Sequence, residues 1–277
     1  YIVNEADVDR GNRVVIRRRS DYWAESSRRN VGLHNFDEIH QIVVRDNNLA
    51  FEMFKRGDLD YYHVNVSREW VEELDTEPVQ RGLLQKRKVF NEYPLGMSGI
   101  AFNTRREPWQ DVRVRRALAH LYNRQLMIEK LFFGEYFRKT SYFSGPYRNP
   151  GNPDIRYDPE LAVSLLAEAG WTERNSQGRL VRDGQPLTAE LLYGQQGLEP
   201  SLTMFQEDLR RVGITLNLRL VTFETMIQLI DERRFDLVSV AYTGLLFPNP
   251  ETTFHSSLAD VDNTNNITAV KSPRIDE

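Results

Sequence analysis

From Leu187 to Tyr242 the chain passes repeatedly between two kinds of periodicity. An extended apolar run at Leu187–Leu192 is followed by a helical pattern near Leu198–Val212, a second run at Ile214–Val221, a helix near Phe223–Arg233 and a third run at Phe235–Tyr242. A period of two residues marks a strand and one of 3.6 marks a helix, and their regular exchange favours a layered α/β sheet. A second constraint lies at Phe102–Leu118, where an apolar strand leaves through a turn containing Pro108 and enters a helix at Asp111. Asp111 suits an N-cap because its carboxylate can accept from free amides of the first turn, and Val112, Val114, Ala117 and Leu118 supply apolar contacts after it. This passage joins two regions of different character and reads as a crossing point between lobes.

Upstream, Val14 and Ile16 alternate with polar neighbours in Asn12–Arg19, and Phe36–Arg45 is also rich in extended residues. Asn47-Asn48 can cap a helix carrying Leu49, Phe51, Met53 and Phe54, which Gly57 can close. Leu59–Val64 follows as a strand, Ser67 caps a short helix through Leu74, and Lys86–Phe90 and Gly96–Thr104 read as extended. The first region is therefore mixed α/β. From Asp111 the pattern is helical to about Phe133, with Leu118, Leu121, Met127, Ile128, Leu131 and Phe132 at helical spacing. Tyr142–Pro153 is an aromatic, Pro/Gly-rich loop. Asp158-Pro159 starts a helix that Gly170 stops, and Asp183-Gly184 implies a hairpin between Arg179–Val181 and Leu187–Tyr193. From Ala259 the chain is polar and Asn-rich, with no element that would close a lobe.

Composition narrows the function. With 36 basic and 40 acidic side chains spread along 277 residues the formal charge is −4, so no net field recruits nucleic acid or an anionic membrane. Arg17-Arg18-Arg19 is interrupted by nearby acids and reads as a solvated strand face. The absence of cysteine excludes disulfides, thiolate metal sites and a cysteine nucleophile. None of His34, His40, His63, His120 and His255 has the i, i+4 spacing of a helical metal pair. Gly96-Met97-Ser98-Gly99 is one residue short of a nucleophile elbow and lies within a strand. Gly194-Gln195-Gln196-Gly197 lacks the lysine of a phosphate loop and reads as a strand-to-helix connection. Acidic pairs such as Glu72-Glu73 read as solvated helix faces. No metal, cofactor or catalytic residue is expected.

Several segments resemble a known family. Phe102–Leu118 is similar to the "NT…PF-x-D-x-R-V-R-x-A-L" passage of extracellular solute-binding proteins of family 5, the dipeptide and oligopeptide receptors that feed ABC importers. Tyr157–Trp171 resembles that family's "YDP-E-x-A-x-x-LL-x-EAGW" helix. Asp21-Tyr22-Trp23, Phe36–Ile39 and Ala50–Asp60 follow its "YW … FDEI … A-x-x-x-F-x-x-G-E-x-D" order. Arg105-Arg106, Phe132–Tyr136 and Ser141–Phe143 resemble the branch that binds peptide-nucleotide antibiotics and related peptides.

The resemblance implies a type II periplasmic binding protein fold of the cluster C kind. Two mixed-sheet lobes flank a hinge, with residues 1–104 part of lobe I and 105–277 a truncated lobe II, incomplete at both ends. It also implies a monomer that takes a peptide or peptide-like ligand into the inter-lobe cleft, closes over it, and delivers it to an ABC-transporter membrane permease. The setting would be periplasmic, with a signal peptide upstream of Tyr1. Met97, Ser98, Gly99 and Ile100 match the segment that runs beside the ligand main chain, where a glycine admits close backbone approach or marks a bulge. Tyr242, Thr243, Gly244, Leu245 and Phe247 lie across the cleft in this reading, and Tyr142 and Phe143 supply apolar walls or simply pack the lobe. Many receptors of the family carry an acid near Phe247 to pair with the ligand's amino terminus, so blocked, modified or cell-wall-derived peptides become credible ligands. The alternatives are a peptidase or glycan hydrolase that has repurposed the cleft, a receptor for muropeptides, and an interaction module without a cleft.

Overall fold

The computed structural model describes residues 1–277 and divides them into two compact units. The first comprises Tyr1–Asn65 with Leu74–Lys86. It holds strands β1 (Val8–Asp9), β2 (Arg13–Arg17) and β3 (Glu38–Ile42) in one antiparallel sheet, with helices α1 (Asn47–Arg56) and α2 (Glu77–Gln80). Arg17 of β2 pairs with Asp7 and Glu38, Arg18 with Glu25 and Arg19 with Asp21, so the arginine run is a solvated, charge-compensated face. The cap of α1 is Asp46 rather than Asn47 or Asn48, because its side chain accepts from the amides of Asn48 and Leu49 at 2.8 and 3.1 Å. Gly57 closes that helix at φ 85°, where a side chain would be strained. Leu59–Val64 forms no strand. It lays Tyr62 against Phe51 and Phe54, with ring centroids 5.6 and 5.7 Å apart. Lys86–Phe90 is likewise outside any sheet, and the turn after Ser67 is a π-helix over Glu69–Glu73.

The second unit, Val66–Glu73 with Arg87–Glu277, is built on a four-stranded sheet. In chain order its elements are β4 (Met97–Phe102), α3 (Val112–Leu121), α4 (Arg124–Lys130), α5 (Pro159–Glu168), β5 (Glu173–Arg174), β6 (Leu180–Arg182), β7 (Gln185–Pro186), β8 (Thr188–Tyr193), α6 (Glu199–Arg211), β9 (Thr215–Leu220), α7 (Phe223–Asp231), β10 (Leu237–Tyr242), α8 (Glu251–Phe254) and α9 (Pro273–Asp276). The sheet order is β4-β10-β8-β9, with β8 parallel to both β9 and β10 and β4 antiparallel to β10. The chain passes between the units at Asn65–Val66, Glu73–Leu74 and Lys86–Arg87. Strand β4 belongs to the second unit's sheet, and Phe102–Leu118 leads from that sheet into α3.

Strand alternation distributes the core over both sheet faces. Leu191, Tyr193, Leu216 and Leu237 join the large cluster formed with α3, α5 and α6, while Leu192, Val238 and Ala101 join Ile230 of α7 and Phe235 on the other face. Three layers result: helices α3, α5 and α6, then the sheet, then α7. Asp111 caps α3 by accepting from the Arg113 amide at 2.8 Å, and Asp158 caps α5 through Leu161. The long helix expected to run from Asp111 to Phe133 is broken at Tyr122-Asn123, because Asn123 accepts from the Leu126 amide and starts α4. Asp183 and Gly184 both adopt positive φ, 52° and 74°, and make a tight two-residue turn. That turn joins β6 to the very short β7, and Thr188–Tyr193 continues into the main sheet instead of completing the hairpin.

The polar segment after Ala259 is tied down by side chains. Asn266 is fully buried and bonds His255 O and both backbone groups of Val270. Arg105 donates to the carbonyls of Ile267, Asn266 and Ala259, and Arg233 to those of Val261 and Thr264. No helix is long and apolar enough to cross a membrane.

Candidate functional site

On the α7 face of the second unit's sheet, where β4 and β10 end, the chain encloses a groove of about 810 Å³. Two glycines allow its floor to form. A Cβ on Gly96 would overlap the Tyr242 carbonyl oxygen, and one on Gly244 would overlap the carbonyl of Pro94, so the segments 94–96 and 242–244 can meet only without side chains there. Lys139 fastens this junction from the side: its ammonium donates to Leu95 O and Gly96 O, both at 2.8 Å, and to Ser144 Oγ at 3.0 Å. Ser144 Oγ donates to Leu95 O at 2.9 Å. Burial lowers the Lys139 pKa from its ordinary value.

The aromatic wall centres on Tyr142, whose ring lies 5.0 Å from Phe143, 5.6 Å from Tyr242 and 5.1 Å from Phe254. Burial, with a smaller contribution from Tyr142, pushes the Tyr242 phenol up to about 12, and burial raises Tyr142 as well. Phe223, Met226, Ile227 and Ile230 of α7 form the opposite side, and Asn263, Thr264, Asn265 and Ile267 of the tied-down segment close one end. Asp231 is the one lining residue charged at neutral pH; it is half-buried and belongs to no ion pair. The surface thus offers apolar area, backbone groups, hydroxyls and amides, and a single carboxylate. No group of three or more His, Asp or Glu side chains converges as a metal would require.

Of the residues singled out from sequence, Met97, Ser98, Tyr142, Phe143, Tyr242, Thr243, Gly244 and Leu245 line this groove together. Gly99 does not line it but stands opposite Val240, which does. A Cβ on Gly99 would meet only Met97 Cε, at 3.9 Å, and the β4–β10 register is unbroken, so this glycine marks open space and not a bulge. Ile100 packs into the core on the helical side, and Phe247 is 83% exposed outside the groove. Met97–Ile100 and Tyr242–Gly244 are not opposed across a gap: Met97 pairs directly with Tyr242 in adjacent strands. Sequence reasoning missed Asp231, Phe254 and the 263–267 segment. The stripe Phe223, Met226, Ile227 and Ile230 was visible at helical spacing, but such a stripe reads as core until a groove is seen beside it. Gly194 and Gln195, read as a connection, also reach the groove wall.

Comparison with known proteins places this geometry in context. The model of the bacterial extracellular solute-binding proteins, family 5 Middle, matches residues 1–265. A probable peptide-binding protein, YejA, of Agrobacterium fabrum is 28% identical over 98% of this chain and 50% of its own length. The oligopeptide-binding protein AppA of Bacillus subtilis, solved with a nonapeptide, superposes with a TM-score of 0.76 at 22% identity, covering 99% of this chain and 52% of that one. NikA of Brucella suis, solved with Fe(III)-EDTA, gives a TM-score of 0.72 at 27% identity over 94% of this chain and 50% of its own. The chain spans about half the length of the relatives it matches. The α/β fold is that of the type II periplasmic binding proteins.

Proposed function

Because the chain belongs to family 5 of the bacterial extracellular solute-binding proteins, we propose that it is part of the substrate-binding component of an ABC importer, which captures oligopeptides or peptide-like ligands outside the cytoplasm and passes them unaltered to a membrane permease. The observation that carries this reading is the groove itself. Its wall is apolar and aromatic, its floor is main chain, and β4 beside it is an edge strand of the sheet. An edge strand can pair with an extended peptide, so main-chain hydrogen bonds supply affinity irrespective of sequence, and the roomy aromatic wall accepts varied side chains. Met97, Ser98, Tyr142, Phe143 and Tyr242–Leu245 are the groove contacts in this reading. No nucleophile, base and metal combination is used, because binding and release require none.

The lone carboxylate refines the expectation about charge. With Phe247 turned away, Asp231 takes an ammonium of the ligand, while blocked or modified ends rest on the apolar wall. The test is incubation with a defined mixture of di- to nonapeptides. A binder raises its melting temperature and returns every peptide with its mass unchanged. Cleaved products would replace binding with turnover, and the absence of any shift would remove the peptide assignment.

A further inference from the structure

A second cavity, of about 400 Å³, lies where the start of α4 meets the segment 138–157, and it shares no residue with the groove. Three arginines line it, Arg124, Arg138 and Arg156. We infer that this cavity is a binding site for a small oxyanion, a phosphate or carboxylate group held by Arg124 and Arg138.

Charge and hydrogen bonding both lead there. Asp154 is the one carboxylate paired in this cluster, and it is shared between Arg138 and Arg156. The Arg124 guanidinium has no carboxylate partner; its one hydrogen bond goes to the Ile155 carbonyl, at 2.6 Å. Arg138 donates through a terminal nitrogen to Asp154 and to Ile155 O at 2.9 Å, but its Nε–H is buried with no acceptor. Three guanidinium charges against one carboxylate leave the cluster short of counter-charge, and an oxyanion in the cavity would offset the excess. Burial and repulsion from Arg138 lower the Arg124 pKa, as expected for a cation short of counter-charge. The planar fork of a guanidinium favours the paired oxygens of phosphate and carboxylate over a spherical anion. Arg156 is 79% exposed and stands at the rim.

Isothermal titration in low-chloride buffer tests this, with inorganic phosphate in one arm and acetate in the other. Saturable binding at one site is expected in at least one arm, and the tighter arm identifies the group. Arg124→Gln is expected to weaken binding about tenfold, the scale of one charge-assisted hydrogen bond. Arg138→Lys keeps the charge, removes the planar fork and is expected to weaken binding by about threefold or more. Circular dichroism checks that both fold, and Arg138→Lys carries the test where Arg124→Gln does not. Saturable binding in neither arm, or unchanged binding in the folded variants, would overturn the assignment.

Discussion

Gly96 and Gly99 lie three residues apart and should respond oppositely to the same methyl group. At Gly96 the added Cβ falls on the Tyr242 carbonyl oxygen and within 3.1 Å of the Gly244 nitrogen. These neighbours are main chain, so no rotamer change relieves the overlap and the ends of β4 and β10 must part. Overpacking of this kind costs about 1–3 kcal/mol. For a domain of this size each kcal/mol shifts the midpoint by about 2–4 °C, so Gly96→Ala should lower it by about 2–12 °C. At Gly99 the nearest atom is the flexible end of Met97, 3.9 Å away. Alanine there removes the entropic penalty of glycine in a strand, and Gly99→Ala should be neutral or stabilising by up to about 1 kcal/mol. If a ligand backbone approaches β4 at this open position, the same methyl should weaken peptide binding by about tenfold. Differential scanning calorimetry reads the first quantity and isothermal titration the second. An unchanged midpoint for Gly96→Ala would refute the close approach, and wild-type peptide affinity in Gly99→Ala would refute a ligand backbone lying over the face of β4 at Gly99.

Asp231→Asn should weaken peptides with a free ammonium by about five- to tenfold and leave uncharged, end-blocked peptides unaffected, since one partly exposed ion pair contributes about 1 kcal/mol; fluorescence titration with matched peptides separates the cases. Tyr242, raised to about 12, keeps its proton in the fold while the unfolded chain loses it near 10, so its contribution is complete below 10 and is lost as the pH rises to 12. The loss is at most about 2–3 kcal/mol, less after solvent screening, and Tyr242→Phe should flatten that part of the stability curve in denaturant titrations across the range. Asp111→Ala should cost about 0.5–2 kcal/mol through loss of the α3 cap. Arg113 holds the Asp111 carboxyl below its ordinary value, so that stabilisation is present at neutral pH and fades as acid protonates the group, a trend that urea midpoints measured from neutral pH downward would follow.

The α/β core was legible because its strands and helices obey clean periods. Leu191 and Leu192 fall on opposite sheet faces as alternation requires, and Asp111 and Asp158 cap the helices they precede. Failures came where pairing or long-range contact decides. Leu59–Val64 has strand composition but no ladder, and β4 joins a sheet partner 135 to 145 residues away, from Phe102–Leu237 to Met97–Tyr242, which local pattern does not encode. The Asn-rich tail showed no element that would close a lobe because its order comes from Arg105 and Arg233 reaching its carbonyls, a contact invisible in composition. Eight groove residues were reachable through the family resemblance of their segments, whereas Asp231, on a polar helix end, carried no local signal.

Native mass spectrometry of the full-length protein purified from its own host addresses the function most directly. A discrete adduct is expected, which gentle denaturation releases as an intact peptide-like compound and which rebinds to the stripped protein but not to a Tyr142→Ala, Tyr242→Ala double variant shown to be folded. Protein that carries no adduct and takes up no peptide, or a ligand recovered only as fragments, would contradict capture without chemistry.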